Sequence, residues 1–310
     1  MLKFPLDGIR KETVPEENGV SPRKKRGDGM RIGFVGAGKV GFSLGKYFTE
    51  RNLCVSGYYS QNSKSAKEAA KFTGTKYYDT LKEITEDSDT LFLTVNDGAI
   101  SGVYSEIAML KISGKMICHC SGAMSSEVFD GIREKGAFGY SVHPIYAFNH
   151  KLKSYQGLSQ VYFTIEGALE HLEDMVNLFR QIGNKAEVIS KEEKVRYHLA
   201  AVFASNLVEG LYDYASDLLE SCGLSREFSK KALLPLFLGN AKAIGAYGVE
   251  KALTGPVERG DAETVEKHLN ASDGDEREIY TLLSQKLVEI SQRKNPTGDY
   301  KKIKEILIKE

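Results

Sequence analysis

Residues 31–48 constrain this chain more than any other stretch, because they set a strand, a glycine turn and a helix in that order. Ile32, Phe34 and Val35 read as a short buried strand. Gly36, Gly38 and Gly41 follow with the spacing G-x-G-x-x-G, and Val40, Leu44, Tyr47 and Phe48 continue at helical spacing. The first glycine permits the tight turn, the second leaves the backbone open to a pyrophosphate, and the third lets the helix pack close to the strand. Free N–H groups and the dipole at the helix start favour a phosphate there. Gly36, Ala37, Gly38, Lys39 and Val40 are therefore read as a dinucleotide cradle. The bland alternative is a βα turn that merely needs glycine.

The next 150 residues repeat the strand-then-helix pattern. Strands are expected at 53–59, 76–78, 90–95, 116–120 and 138–142, with helices at 64–72, 81–86, 99–110 and 125–135 between them. Strands at 161–166 and 185–189 flank a helix at 169–182 and extend or edge the same sheet. In an open α/β sheet, ligands lie against the carboxyl ends of the strands. Thr94, Val95 and Asn96 at one such end are expected to line the cofactor, and Ser121 and His143 end the next two strands. The second strand ends Tyr58-Tyr59-Ser60-Gln61-Asn62-Ser63-Lys64, with no acid from Val55 to Lys67. An acid there would repel a 2′-phosphate, whereas Ser60, Asn62, Ser63 and Lys64 can bind one, so NADP is favoured over NAD.

The chain has 310 residues, which points to more than one domain. Lys plus Arg and Asp plus Glu are 42 each, so no net charge draws it to nucleic acid or an anionic membrane. No apolar run approaches the roughly 20 residues of a membrane span. Four cysteines are too few for a disulfide scaffold, which favours a reducing cytoplasm. Cys118-His119-Cys120 invites a metal reading, but a strand sends neighbouring side chains to opposite faces, so packing is favoured. Residues 1–29, with the run Arg23-Lys24-Lys25-Arg26, read as a disordered tail, and Met30 is an alternative start.

From residue 191 onward the pattern turns helical. Residues 197–219 read as one long helix, apolar nearly all round from 199 to 208, as a buried helix would be. His198, Val202, Ser205 and Glu209 fall on one stripe, with Asn206 beside it. Such a polar stripe either lines a cleft facing the cofactor, with His198 moving a proton, or fixes helix packing or a subunit contact. In Thr254-Gly255-Pro256-Val257-Glu258-Arg259-Gly260-Asp261, Pro256 can open a helical turn and Asp261 can cap the helix at 262–269. Arg259 either holds a substrate carboxylate or phosphate or faces solvent.

These motifs carry a resemblance. Gly36-Ala-Gly38-Lys-Val-Gly41, the segment 92–100, His119-Cys120-Ser121-Gly122-Ala123, His143-Pro144-Ile145, the segment 197–206 and the segment 253–261 resemble bacterial Rossmann-like oxidoreductases with a C-terminal helical domain of unknown function. Those sit in the wider group of pyrroline-5-carboxylate reductase, prephenate dehydrogenase, 3-hydroxyacid dehydrogenases and deazaflavin-dependent NADP oxidoreductases. The resemblance implies a doubly wound cofactor domain followed by a helical domain that often mediates dimers. It brings no substrate. Where the 3-hydroxyacid dehydrogenases carry a catalytic lysine this chain has His198, and where pyrroline-5-carboxylate reductases carry Ser-Pro-Gly it has Thr254-Gly255-Pro256.

The expectation is thus an α/β chain: a tail at 1–29, a Rossmann domain at 30–150, a strand–helix–strand extension at 151–190 and an all-helical substrate and dimerisation domain at 191–310. It would be an NADP-dependent oxidoreductase, with NAD or a deazaflavin coenzyme as other possibilities, moving a hydride between nicotinamide and a small C=O or C=N substrate. His198, Ser121, His143 and Asn206 are the catalytic candidates, and Arg259 and Ser205 the substrate-binding ones. The alternative is a non-catalytic dinucleotide-binding sensor or assembly protein.

Overall fold

The computed structural model describes residues 30–308, so the expectations for residues 1–29 lie outside it. The described chain forms two compact units, one ending at Leu199 and the other beginning at Ala200.

The first unit contains β1 (Ile32–Val35), α1 (Lys39–Glu50), β2 (Val55–Tyr59), α2 (Ser63–Thr73), β3 (Lys76–Tyr77), α3 (Leu81–Glu86), β4 (Thr90–Leu93), α4 (Asp97–Ala108), β5 (Met116–His119), β6 (Phe138–Pro144), β7 (Tyr162–Gly167), α5 (Leu172–Gln181) and β8 (Lys185–Val188). The strands form one sheet in the order β3-β2-β1-β4-β5-β6-β7-β8. The first six run parallel, so their carboxyl ends share one edge; β7 pairs antiparallel with β6 and parallel with β8. The order reverses direction between β1 and β4, the switch point at which such sheets open a ligand crevice.

Side-chain alternation explains why both faces carry helices. On β4, Phe92 packs with Phe34, Phe48 and Phe163, whereas Leu91 and Leu93 pack with Ile100, Ile107 and Phe129. Every residue of β1, β4 and β5 is buried, as a strand covered on both sides requires. Local chemistry sets the helix ends. Asn62 caps α2 by accepting from the Ser65 N–H, Gly74 closes it in the left-handed region, and Thr80 with Glu83 forms a capping box on α3. One expected helix is absent: 125–135 holds only a 3-10 turn, Ser126–Val128, followed by turns. Gly131 takes positive φ within it, which breaks a helical path, and Gly136 does so immediately after it.

The later helices are α6 (Lys194–Phe203), α7 (Asn206–Ser221), α8 (Arg226–Tyr247), α9 (Val249–Ala252), α10 (Pro256–Arg259), α11 (Ala262–Ala271), α12 (Gly274–Lys294) and α13 (Lys301–Ile308). Val257, Val265, Leu269, Val288, Ile303 and Leu307 form the core of the second unit. Pro256 opens α10, and Asp261 caps α11 by accepting from the Thr264 N–H at 3.0 Å and hydroxyl at 2.7 Å. The single long helix expected at 197–219 is two helices, broken at Ala204 and Ser205. The apolar stretch 199–208 is also not buried: Leu199 is 51% and Phe203 60% exposed. A sequence that is apolar all round signals a surface that must be covered, and within a single chain this one is not.

Candidate active site

The glycine turn has the geometry that its spacing implies. Gly36 takes φ +106°, and a Cβ there would meet the Thr94 backbone at 2.8 Å. A Cβ on Gly41 would lie 2.4 Å from Thr94 Oγ1 and 2.6 Å from the Gly36 carbonyl oxygen. Thr94 donates its hydroxyl proton to that same carbonyl at 2.9 Å, which locks the turn of β1 to the end of β4. Gly38, by contrast, faces open space: the nearest atom to its Cβ position is 3.9 Å away. Gly38 and Lys39 are exposed at the start of α1, and no acid occupies its first turn. The cradle therefore suits a pyrophosphate, with free N–H groups and no opposing carboxylate.

Val95 is half-buried and Asn96 exposed beyond β4. Ser60 is half-buried, and Asn62, Ser63 and Lys64 are exposed, where β2 gives way to α2. Asn62 spends its side-chain oxygen on the helix cap at 3.3 Å. Its amide nitrogen stays free to donate, so Asn62, the Ser63 hydroxyl and the Lys64 ammonium all remain as phosphate donors.

Beyond the switch point, three further strand ends join a helix. Ser121, after β5, donates to the Asp97 carboxylate at 2.6 Å and accepts from the Met124 N–H at 3.2 Å. His143 sits on β6, and its Nδ1 pairs with the Tyr197 hydroxyl of α6 at 2.7 Å. The His143 and His198 rings stand edge to face, 6.0 Å between centroids. Both converge on Gly122, where a Cβ would lie 2.4 Å from His198 Nδ1 and 3.0 Å from His143 Nε2. The approach of the two imidazoles is possible because residue 122 lacks a side chain. His198 Nδ1 is buried there without a hydrogen-bond partner.

Burial sets the protonation of this cluster. It holds the pKa of His143 down at about 3, aided by positive charge on Lys194 and by His198 and His119. His119 is fully buried and held at about 4, again chiefly by burial. Its two nitrogens have opposite tasks: Nδ1 accepts from the Ser121 N–H at 3.2 Å, and Nε2 pairs with the Ser125 carbonyl at 3.1 Å. Only a neutral imidazole protonated on Nε2 satisfies both. Burial likewise raises the pKa of the Tyr197 hydroxyl. Lys194, nearly sealed from water, donates to Ser141 Oγ at 2.8 Å and to the Ser121 carbonyl at 3.3 Å.

The structure thus brings Ser121, His143 and His198 together. Ser205, Asn206 and Arg259 belong to the second unit. Ser205 turns its hydroxyl onto the Ala201 carbonyl at 2.7 Å at the break between α6 and α7, and Arg259 is exposed at the end of α10. The stripe of His198, Val202, Ser205 and Glu209 does not persist, because the helix that would align it is interrupted. Cys118 and His119 face opposite sides of the sheet, in the clusters of Phe34 and Phe129 respectively.

Sequence reasoning missed Lys194, Tyr197, Asp97 and Gly122 as parts of the cluster. Lys194 follows Lys191, Glu192 and Glu193 and looks like part of a solvated run. The available signal was its place four residues before His198, on the same helix face.

Residues 13–144 match a Rossmann-like domain, and residues 161–287 match a domain of unknown function (DUF2520). No curated protein sequence matches the chain. Among solved structures, it is similar to protein TM1727 from Thermotoga maritima, at 28% identity and a TM-score of 0.68, covering 84% of this chain and 98% of that one. A putative NADP oxidoreductase, BF3122 from Bacteroides fragilis, shares 24% identity with a TM-score of 0.63 over 84% of this chain and 98% of its own. A reductive aminase from Aspergillus terreus, solved with NADPH and ethyl-5-oxohexanoate, shares the fold at 16% identity and a TM-score of 0.59, over 91% and 99% of the two chains.

Proposed function

We propose that this chain is an NADP-dependent oxidoreductase acting on a small carbonyl or imine. The observation that carries the reading is the row of strand ends. The phosphate cradle on β1 continues through Thr94 and Asp97 after β4 and Ser121 and Gly122 after β5 to His143 on β6. Three strand spacings separate its ends, on the order of 15 Å. Neighbouring folds of this type are solved with NADPH or NADP. When bound, the reduced cofactor supplies a hydride to the carbonyl or imine carbon. His198 donates a proton to the oxygen or nitrogen as the double bond opens, and recovers it from solvent. The Tyr197 hydroxyl, held by His143, orients that same atom, and Ser121 with Asp97 shapes the adjoining wall.

The meeting of His198 with two strand ends favours catalysis over the sensor reading, which needs no proton-moving group there. Thermal denaturation with NADPH, NADH and reduced deazaflavin coenzyme, followed by small keto and imino acids, tests the assignment. NADPH is expected to give the largest stabilisation, and no shift with any of them would refute it.

We also infer that the second unit pairs with a second copy of the chain. Leu207, Leu211, Tyr214 and Leu218 form an exposed stripe at helical spacing on α7, and Phe228, Leu234, Phe237, Ile244 and Tyr247 are exposed on α8. Apolar surface of this extent marks an association site. Light scattering is expected to return twice the chain mass, and the double variant Leu211→Glu, Leu218→Glu the mass of one chain.

A further inference from the structure

Lys194 is 1% exposed, although charged neighbours precede it in the sequence. A buried ammonium is costly unless its protons are matched by acceptors. Here Nζ reaches Ser141 Oγ on β6 and the Ser121 carbonyl after β5, and stands 5.4 Å from the centroid of the Tyr197 ring. These contacts tie the first turn of α6 to two adjacent strand ends. Residues three and four positions along a helix share a face, and from Lys194 those are Tyr197 and His198.

We propose that Lys194 is a positioning residue: it clamps α6 onto the ends of β5 and β6 so that Tyr197 and His198 are presented to His143, and it sets a positive charge behind that imidazole. The catalytic consequence rests on the oxidoreductase reading; the clamp itself does not. Charged and titratable groups face the ammonium from every side: Asp97 at the start of α4, His119 on β5, Cys120 after it, His143 on β6, Glu166 on β7, and Tyr197 and His198 on α6. Burial lowers the lysine to about 8, while Glu166, Cys120 and Asp97 favour its charged form. The cation in turn opposes charge on His143, beyond what burial already does. A neutral His143 keeps the hydrogen bond to Tyr197 in one form across the physiological range.

Nuclear magnetic resonance of labelled imidazoles tests this without a known substrate. In the wild-type chain, the His143 resonances are expected to shift between about pH 7 and about 9.5, with a midpoint near the lysine's value of about 8. In Lys194→Met, which keeps the length and removes the charge, that step disappears and His143 titrates at a higher pH than in the wild type. Binding of NADPH stays within about twofold, because the glycine cradle is separate, while turnover falls about a hundredfold, the order that a misplacement of about 1 Å costs. Flat His143 resonances through the titration of Lys194, followed on its own labelled Nζ, would overturn the proposal, even if Lys194→Met does not fold. An unchanged His143 titration in a folded Lys194→Met would do the same. Ser141→Ala keeps the charge and removes one acceptor; it is expected to retain the high-pH step and lose part of the turnover. A wild-type chain that bound no NADPH would remove the oxidoreductase reading and leave the His143 titration to decide the clamp.

Discussion

The glycine turn at residues 36–41 and the histidine cluster at Gly122 both depend on a missing side chain, but they gather different parts of the sheet. At the turn, the groups that need the space are the carbonyl of Gly36 and Thr94, 58 residues on but at the end of the adjacent strand. At Gly122, they are His143, 21 residues on, and His198, 76 residues on. The turn is completed by two adjacent strands, β1 and β4, and the helix α1. The cluster is assembled from three strand ends and a helix, and no one segment contains it. On the proposed reading, binding of a dinucleotide and proton transfer to a substrate are therefore separable.

The strongest way to sharpen the difference is Gly36→Ala. Its φ of +106° and the Thr94 backbone at 2.8 Å leave a methyl group no place. The variant is expected to lose the NADPH-induced thermal shift and all turnover, with a stability loss of about 1–3 kcal/mol from backbone strain. Gly122→Ala is the counterpart. The added methyl would displace His198 and His143, so turnover should fall about a hundredfold, with NADPH affinity preserved within about twofold. Equal loss of nucleotide binding in both variants, read by titration calorimetry, would break the comparison.

Acid separates the two regions as well. His119 and His143 have folded pKa values of about 4 and about 3, below the ordinary value of 6.5. Their contribution is complete above pH 6.5 and is lost as the pH falls through the folded values, because the unfolded chain binds the protons first. Urea denaturation should show stability falling by about 3 kcal/mol from His119 alone between pH 6.5 and pH 4, and a stability constant over that range would contradict the buried neutral assignment. The smallest expected effect is at the end of β2. Lys64→Ala should weaken NADPH about tenfold, the equivalent of about 1.4 kcal/mol, and leave NADH unchanged. Equal loss for both cofactors would remove Lys64 from the 2′-phosphate.

Most of the first unit was legible because its signals are short-ranged. The strands at β1, β4 and β5 declare themselves as runs of mostly apolar residues, and α3 falls at Leu81–Glu86 as expected, with Thr80 and Glu83 forming its cap. The helix expected at 125–135 failed on Gly131, whose left-handed turn outweighs the apolar spacing around it. The break at Ser205 was not visible, since no glycine or proline marks it. Ser121 and His143 were found by a topological rule, as residues at the ends of successive strands. Lys194 was not, because a lysine in a charged run looks solvated until the strands that bury it are in place.

The sequence alone determined the glycine cradle, the parallel strands and the acid-free end of β2, because each follows from neighbours a few residues apart. Only the tertiary structure decided that His143 meets Tyr197 and His198 at Gly122, and that Lys194 lies buried beneath them. Those contacts join residues more than 50 positions apart, and their burial, which sets the protonation of each group, exists only once the sheet has formed.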